Sequence, residues 1–218
     1  MSDFATRRMF MVDTQVRPSD VTKFPIIEAM LETPREVYVP PDRREAAYVG
    51  THVELAPGRV LVEPRTLAKL LDALDILPSD RVLVLGAGLG YSAAVLARMV
   101  GTVVAVEEDA DLAADAGRIL SEQGVAGVSV VAAPLTAGAP ETGPYDVILV
   151  DGGVEAALPA AIEAQLAEGG RIGAVFMEGA LGTARIGHRV DGRVNWRYAF
   201  NAAAPVLPGF EESRSFAL

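Results

Sequence analysis

Cysteine is absent from this chain, and histidine is nearly so, with only His52 and His188 present. The first absence excludes structural disulfides, thiolate zinc sites and a cysteine nucleophile. The second leaves no multi-histidine metal centre, and no resident metal is expected. Lysine is also scarce, Lys23 and Lys69 standing among 19 basic residues, and against 29 acids they leave a net charge of −10. So acidic a chain has little general field to attract a polyphosphate backbone or an anionic lipid surface, so neither nucleic acid nor membrane is an expected partner. Long apolar runs are missing too. The nearest, Leu83 to Val100, is broken by Gly86, Gly88, Gly90 and Arg98, short of the roughly 20 residues a membrane helix needs. Arg7 and Arg8 near the start are followed by no apolar stretch, so no secretory signal is read and a cytoplasmic location is expected. What remains is an ordinary globular composition, 218 residues with half apolar and 22% charged. Its partner is expected to be a small molecule or a polypeptide.

The character of the chain changes near residue 80. Before it, Thr22 to Leu31 spaces Phe24, Ile27, Met30 and Leu31 as one helical face, with Thr22 as N-cap and Pro25 in the first turn. Residues 33–61, with Pro34, Pro40, Pro41 and Pro57, read as an irregular wrap. Pro64 then opens a helix with Leu67, Leu70, Leu71 and Leu74 on one face. After residue 80, Val82 to Leu85, Val103 to Val106, Val128 to Val131, Val147 to Val150 and Ile172 to Phe176 are short apolar runs of the kind that form strands buried on both faces. Helical stretches at Ser92 to Val100, Leu112 to Gln123 and Ala156 to Leu166 alternate with most of them. That alternation predicts an α/β fold with a doubly wound, mostly parallel sheet. Asp191-Gly192, between Arg185 to Val190 and Val194 to Phe200, predicts an antiparallel hairpin closing one edge. The tail Pro205 to Phe210 is rigid and apolar, and docks either on the sheet or on a neighbour.

The most informative stretch is Val82-Leu83-Val84-Leu85-Gly86-Ala87-Gly88-Leu89-Gly90-Tyr91. Glycines after the first strand of a doubly wound sheet let the backbone approach a ligand at the strand ends. A dinucleotide fingerprint would place its third glycine where Tyr91 stands, which weakens a nicotinamide reading. Glu107, 21 residues after Gly86 at the end of the second strand, is placed to accept from two ribose hydroxyls. The bland reading is a tight turn beside a solvated acid.

Several motifs occur in order: Thr33-Pro34-Arg35-Glu36-Val37-Tyr38-Val39-Pro40, Ala47-Tyr48, the glycine turn with Tyr91, Pro144-Tyr145-Asp146-Val147-Ile148-Leu149-Val150, and Gln165-Leu166 before Gly169-Gly170-Arg171. Together they resemble the protein-L-isoaspartate O-methyltransferase family over residues 9–176. The resemblance implies a class I, Rossmann-like methyltransferase fold. Residues 1–79 would form a helical and irregular N-terminal cap, and residues 80–218 an S-adenosylmethionine-binding unit. It further implies Gly86, Ala87, Gly88, Gly90 and Tyr91 at the methionine part, Glu107 and Glu108 at the ribose, and Leu135 by the adenine. The acceptor would be a polypeptide or a small molecule. The departures lie at the ligand. Where the family carries Thr-Ile-Ser-Gln-Pro, with hydroxyls lining the reaction site, this chain has Val60-Leu61-Val62-Glu63-Pro64. The first-strand acid is Val84, and the Gly-Asp pair after the third strand is Ala133-Pro134. The catalytic residues are therefore unassigned, and isoaspartyl substrates should fit poorly. Val62, Glu63 and His52 are the candidates on the substrate side, with a helix N-terminal acid and an exposed loop histidine as the plainer readings of the last two. A non-catalytic, cofactor-binding descendant is the alternative. A second alternative is a metal-assisted O-methyltransferase in which Asp151 and Glu178, near the ends of the fourth and fifth strands, share Mg²⁺.

Overall fold

The computed structural model describes residues 3–155 and 157–212. Helix α1 (Phe4–Met11) is capped by Asp3, which accepts from the Thr6 amide at 2.7 Å, and runs into a wider π turn at Val12–Val16. Helix α2 (Phe24–Glu32) begins later than its spacing predicts. Pro25 sits in the first turn, where its missing N–H costs nothing, and Thr22 does not cap the helix. The wrap over 33–61 holds two 3₁₀ turns, Arg35–Val37 and Pro41–Ala46. It ends in an unanticipated hairpin of β1 (Val53–Ala56) and β2 (Arg59–Leu61). The signal was Pro57-Gly58, a turn dipeptide whose glycine takes φ +73°. Helix α3 (Pro64–Leu74) buries Leu67, Leu70, Leu71 and Leu74, as its periodicity predicts.

The five apolar runs become β3 (Arg81–Leu85), β4 (Thr102–Glu107), β5 (Val128–Ala132), β6 (Tyr145–Val154) and β7 (Leu166–Glu178). The edge hairpin is β8 (Leu181–Val190) and β9 (Arg193–Asn201). They form one seven-stranded sheet in the order β5-β4-β3-β6-β7-β8-β9. Pairings are parallel from β5 through β7 and antiparallel beyond. Successive side chains feed opposite faces: Val82 and Val84 join the apolar cluster under the N-terminal helices, whereas Leu83 and Leu85 join the cluster on the other side. Burial on both faces is why β3, β4 and β6 read as continuous apolar runs, whereas the edge strand β5 is half-buried to exposed. Asp191 and Gly192 take φ +53° and +74°, the left-handed pair a two-residue hairpin turn requires.

Helices α4 (Tyr91–Ala97) and α5 (Ala110–Glu122) lie where expected. The helix expected over Ala156 to Leu166 shrinks to α6 (Ala160–Glu163). Pro159 immediately precedes it and cannot donate within a helix, while Leu166 is drawn into β7 opposite Tyr145. Ala156 lies outside the described residues. Among the described residues no helix is long and apolar enough to cross a membrane.

Candidate active site

Strand order reverses between β3 and its neighbours β4 and β6, which opens a crevice at the carboxyl ends of these strands. Gly86, Gly88 and Gly90 turn the chain there from β3 into α4 with φ of +83°, +55° and +95°, a region that L side chains rarely adopt. The amides of Gly86 and Ala87 donate to the Val106 carbonyl at 3.0 and 3.1 Å, which ties the turn to β4.

Glu107, the last residue of β4, is 1% exposed. Its Oε2 accepts from the Gly88 amide at 2.7 Å, and Oε1 accepts from the amides of Glu108 and Asp109 at 3.0 and 3.2 Å. The carboxylate thus lies against the glycine turn. Oε2 also receives Nη2 of Arg59, from β2, in a buried ion pair. Sequence reasoning missed Arg59, because nothing in a three-residue strand marks its arginine as the partner of an acid 48 positions away.

The space above the turn is filled by the chain itself. A Cβ at Gly86 would lie 3.0 Å from Leu207 Cδ1 and 3.3 Å from Arg59 Nη2. At Gly88 it would lie 2.7 Å from Leu55 Cδ1, and at Gly152 2.5 Å from Leu207 Cδ2. The tail Pro205 to Phe210, whose docking the sequence left open, runs along the end of β6. The Gly153 amide donates to the Pro205 carbonyl at 2.8 Å, the Leu207 amide to the Gly153 carbonyl at 2.9 Å, and the Glu155 amide to the Phe210 carbonyl at 2.9 Å. Leu207 and Phe210 are 2% and 3% exposed. A cleft of about 300 Å³ remains open beside them, lined by Pro57, Arg59, Glu107, Glu108, Asp109 and Pro208.

Around the turn is a polar layer that the protein leaves incomplete. Arg35 is fully buried, donating to the carbonyls of Ala47 and Val62 at 2.6 and 2.7 Å, with its guanidinium 4.7 Å from the centre of the Tyr91 ring. Its Nη1 has no well-aligned partner, and neither do the Tyr91 hydroxyl, Ser92 Oγ, Arg59 Nε or Asp151 Oδ1. A buried polar group left without a good partner costs roughly 1–3 kcal/mol, whereas Leu207 itself packs in the apolar cluster with Leu83, Leu85 and Val150. Burial raises the Asp151 carboxyl to about 6, against the opposing pull of Ser92, Arg59 and Arg35.

Tyr91 is buried between Arg35 and Tyr38, its ring 5.8 Å from that of Tyr38. Glu108 is exposed, and its carboxylate accepts from the amide of Leu135, whose side chain is wholly buried, at 3.2 Å. Val60 is half-buried and Val62 buried. Glu63 stands at the N-cap position of α3, where its carboxylate accepts from the Thr66 hydroxyl at 2.6 Å. His52 is neither an isolated loop residue nor turned to an open site. Its Nδ1 accepts from the Glu63 amide at 3.0 Å, so its Nε2–H faces the Ala203 carbonyl, 2.9 Å away. Asp151 and Glu178 stand in different settings. Glu178 is 84% exposed beside Arg185 whereas Asp151 is buried, and among the described residues no three acids or histidines converge to hold a metal.

Comparison with known proteins places this geometry. The model of the protein-L-isoaspartate(D-aspartate) O-methyltransferase (PCMT) family matches residues 10–193. The chain belongs to this family. A protein-L-isoaspartate O-methyltransferase of Roseiflexus castenholzii is 37% identical over 170 residues, 78% of this chain and 77% of the relative. A protein-L-isoaspartate O-methyltransferase 2 of Marinobacter nauticus is 38% identical over the same shares. A solved protein-L-isoaspartate O-methyltransferase superposes with a TM-score of 0.79 at 26% identity, over 95% of this chain and 66% of that longer one. A further structure shares the fold at 18% identity, with a TM-score of 0.78 over 95% of this chain and 99% of its own. It is a putative protein-L-isoaspartate O-methyltransferase of Plasmodium falciparum in complex with S-adenosyl-L-homocysteine.

Proposed function

We propose that this protein is an S-adenosylmethionine-dependent O-methyltransferase that methylates a polypeptide carboxyl group other than the usual isoaspartyl one, with residues 1–79 capping the 80–218 unit. The observation that carries the reading is Glu107 held against the glycine turn at the strand-order switch, accepting the Gly88 amide at 2.7 Å. The donor set suits an adenosyl group: left-handed glycines under the methionine part, Glu107 for the ribose hydroxyls, and the Glu108–Leu135 edge for the adenine. The space suits it only with Leu207 withdrawn and Arg59 turned from Glu107, since both now occupy the cradle.

S-adenosylmethionine supplies an electrophilic methyl group on a sulfonium. A carboxylate acceptor is already ionised near neutral pH, so this chain needs no general base, and positioning carries most of the acceleration. Val60 and Val62 offer an acceptor carboxylate no hydroxyl. A hydrogen bond to a charged group contributes about 1.5–3 kcal/mol, so the double substitution V60T/V62S should raise kcat/KM on an isoaspartyl peptide roughly 10- to 100-fold. Methyl release from that peptide measures it, and an unchanged rate would count against the two valines as the cause of altered acceptor choice. A second reading, a binding protein without turnover, is favoured by Leu207 in the cradle. Calorimetry with S-adenosylhomocysteine that shows binding, alongside methyl-release assays that find no acceptor, would select it.

A further inference from the structure

We propose that residues 202–210 are an intrasteric gate: the docked tail and the cofactor compete for the same cradle, and Leu207 must leave before an adenosyl group can enter. The inference rests on the cofactor assignment above. Leu207 covers Gly86 and Gly152 so closely that a Cβ at either would fall 3.0 or 2.5 Å from its methyl carbons. The tail is pinned by main-chain bonds to both the N–H and the C=O of Gly153, by the Glu155 amide on Phe210, and by His52 against the Ala203 carbonyl. Arg59 completes the blockade by taking the oxygen of Glu107 that also faces Gly88.

Two features make this a gate and not a filled core. First, Arg59, which reaches the same point over Gly86 as Leu207, has no well-aligned partner for its buried Nε while the tail is docked, and Asp151, next to the covered Gly152, has none for Oδ1. An aliphatic stopper leaves such groups unsatisfied, and a polar ligand reaching them would satisfy some. Second, the only bridge pairing the tail with the sheet among the described residues is the isolated one from Gly153 to Val206, its other main-chain ties being single bonds such as the Ala202 amide on the Gly182 carbonyl and the Glu155 amide on the Phe210 carbonyl. Such a segment detaches without unravelling the strand order behind it.

The test measures S-adenosylhomocysteine binding by calorimetry for the natural chain and for Leu207→Ala, with amide hydrogen exchange of the natural chain followed with and without that ligand. Competition predicts at least tenfold tighter binding by Leu207→Ala. In the natural chain the ligand should speed exchange at Gly153, Glu155 and Leu207 while slowing it at Gly88. The exchange measurement stands even if Leu207→Ala folds poorly. Equal affinities with undiminished protection of the tail amides would overturn the gate and leave the cofactor assignment intact. No binding by either protein would overturn the cofactor assignment and the gate with it.

Discussion

Glu107→Gln should lower the unfolding free energy by about 3–5 kcal/mol, the cost of leaving one member of a buried ion pair uncompensated. Arg59 is 6% exposed and its guanidinium meets Glu107. Either way round, the amide nitrogen of a glutamine would face donors: Arg59 and the Gly88 amide in the place of Oε2, or the amides of Glu108 and Asp109 in the place of Oε1. At about 2–4 °C per kcal/mol for a chain of this size, the midpoint should fall by roughly 6–20 °C. Arg59→Met should cost much less, because Glu107 keeps the amides of Gly88, Glu108 and Asp109 as donors, whereas Arg59 has no comparable second set. Chemical denaturation of the two single variants and the double variant gives the coupling directly. Equal costs for Glu107→Gln and Arg59→Met would show that the backbone donors do not stabilise the carboxylate in this way.

Asp151→Asn should do the opposite and stabilise the protein at neutral pH. Burial lifts the folded-state Asp151 from 3.8 to about 6. Between those values the folded chain holds a proton that the unfolded chain has lost, so this residue's contribution falls as pH rises from about 4 to about 6 and is constant above. Two pKa units correspond to about 3 kcal/mol as an upper bound. The asparagine variant should therefore melt about 5 °C higher at pH 7.5 and converge with the natural chain near pH 4. Ser92, Arg59, Arg35 and Glu107 face this carboxyl, and all are present in both proteins, so the difference between the two melting curves isolates Asp151. A difference independent of pH would refute the assigned burial cost.

Much of the scaffold could be read before any coordinates. Val82 to Leu85, Val103 to Val106 and Val147 to Val150 are apolar on consecutive residues because these strands are buried on both faces, and this local signature survives any register. The glycine turn was legible for a similar reason: three left-handed positions within five residues leave few residue types to choose from. Errors fell where tertiary partners overrode local pattern. The stretch after Ala156 has helical composition, yet Pro159 and the pairing of Leu166 with β6 cut the helix to one turn.

Residue types in order determined, by themselves, the parallel sheet, the glycine turn, and Glu107 at the next strand's end. Only the tertiary structure decided what lies on that turn: Leu207 from the far end of the chain, Arg59 from a short hairpin, and Asp151 turned to a buried, half-satisfied polar layer. The reason is the range of the forces involved. Strand burial and left-handed turns leave periodicities and residue preferences within a few positions. A contact between Gly86 and Leu207, 121 positions apart, depends on how whole elements pack, and leaves no trace in the residues beside either one.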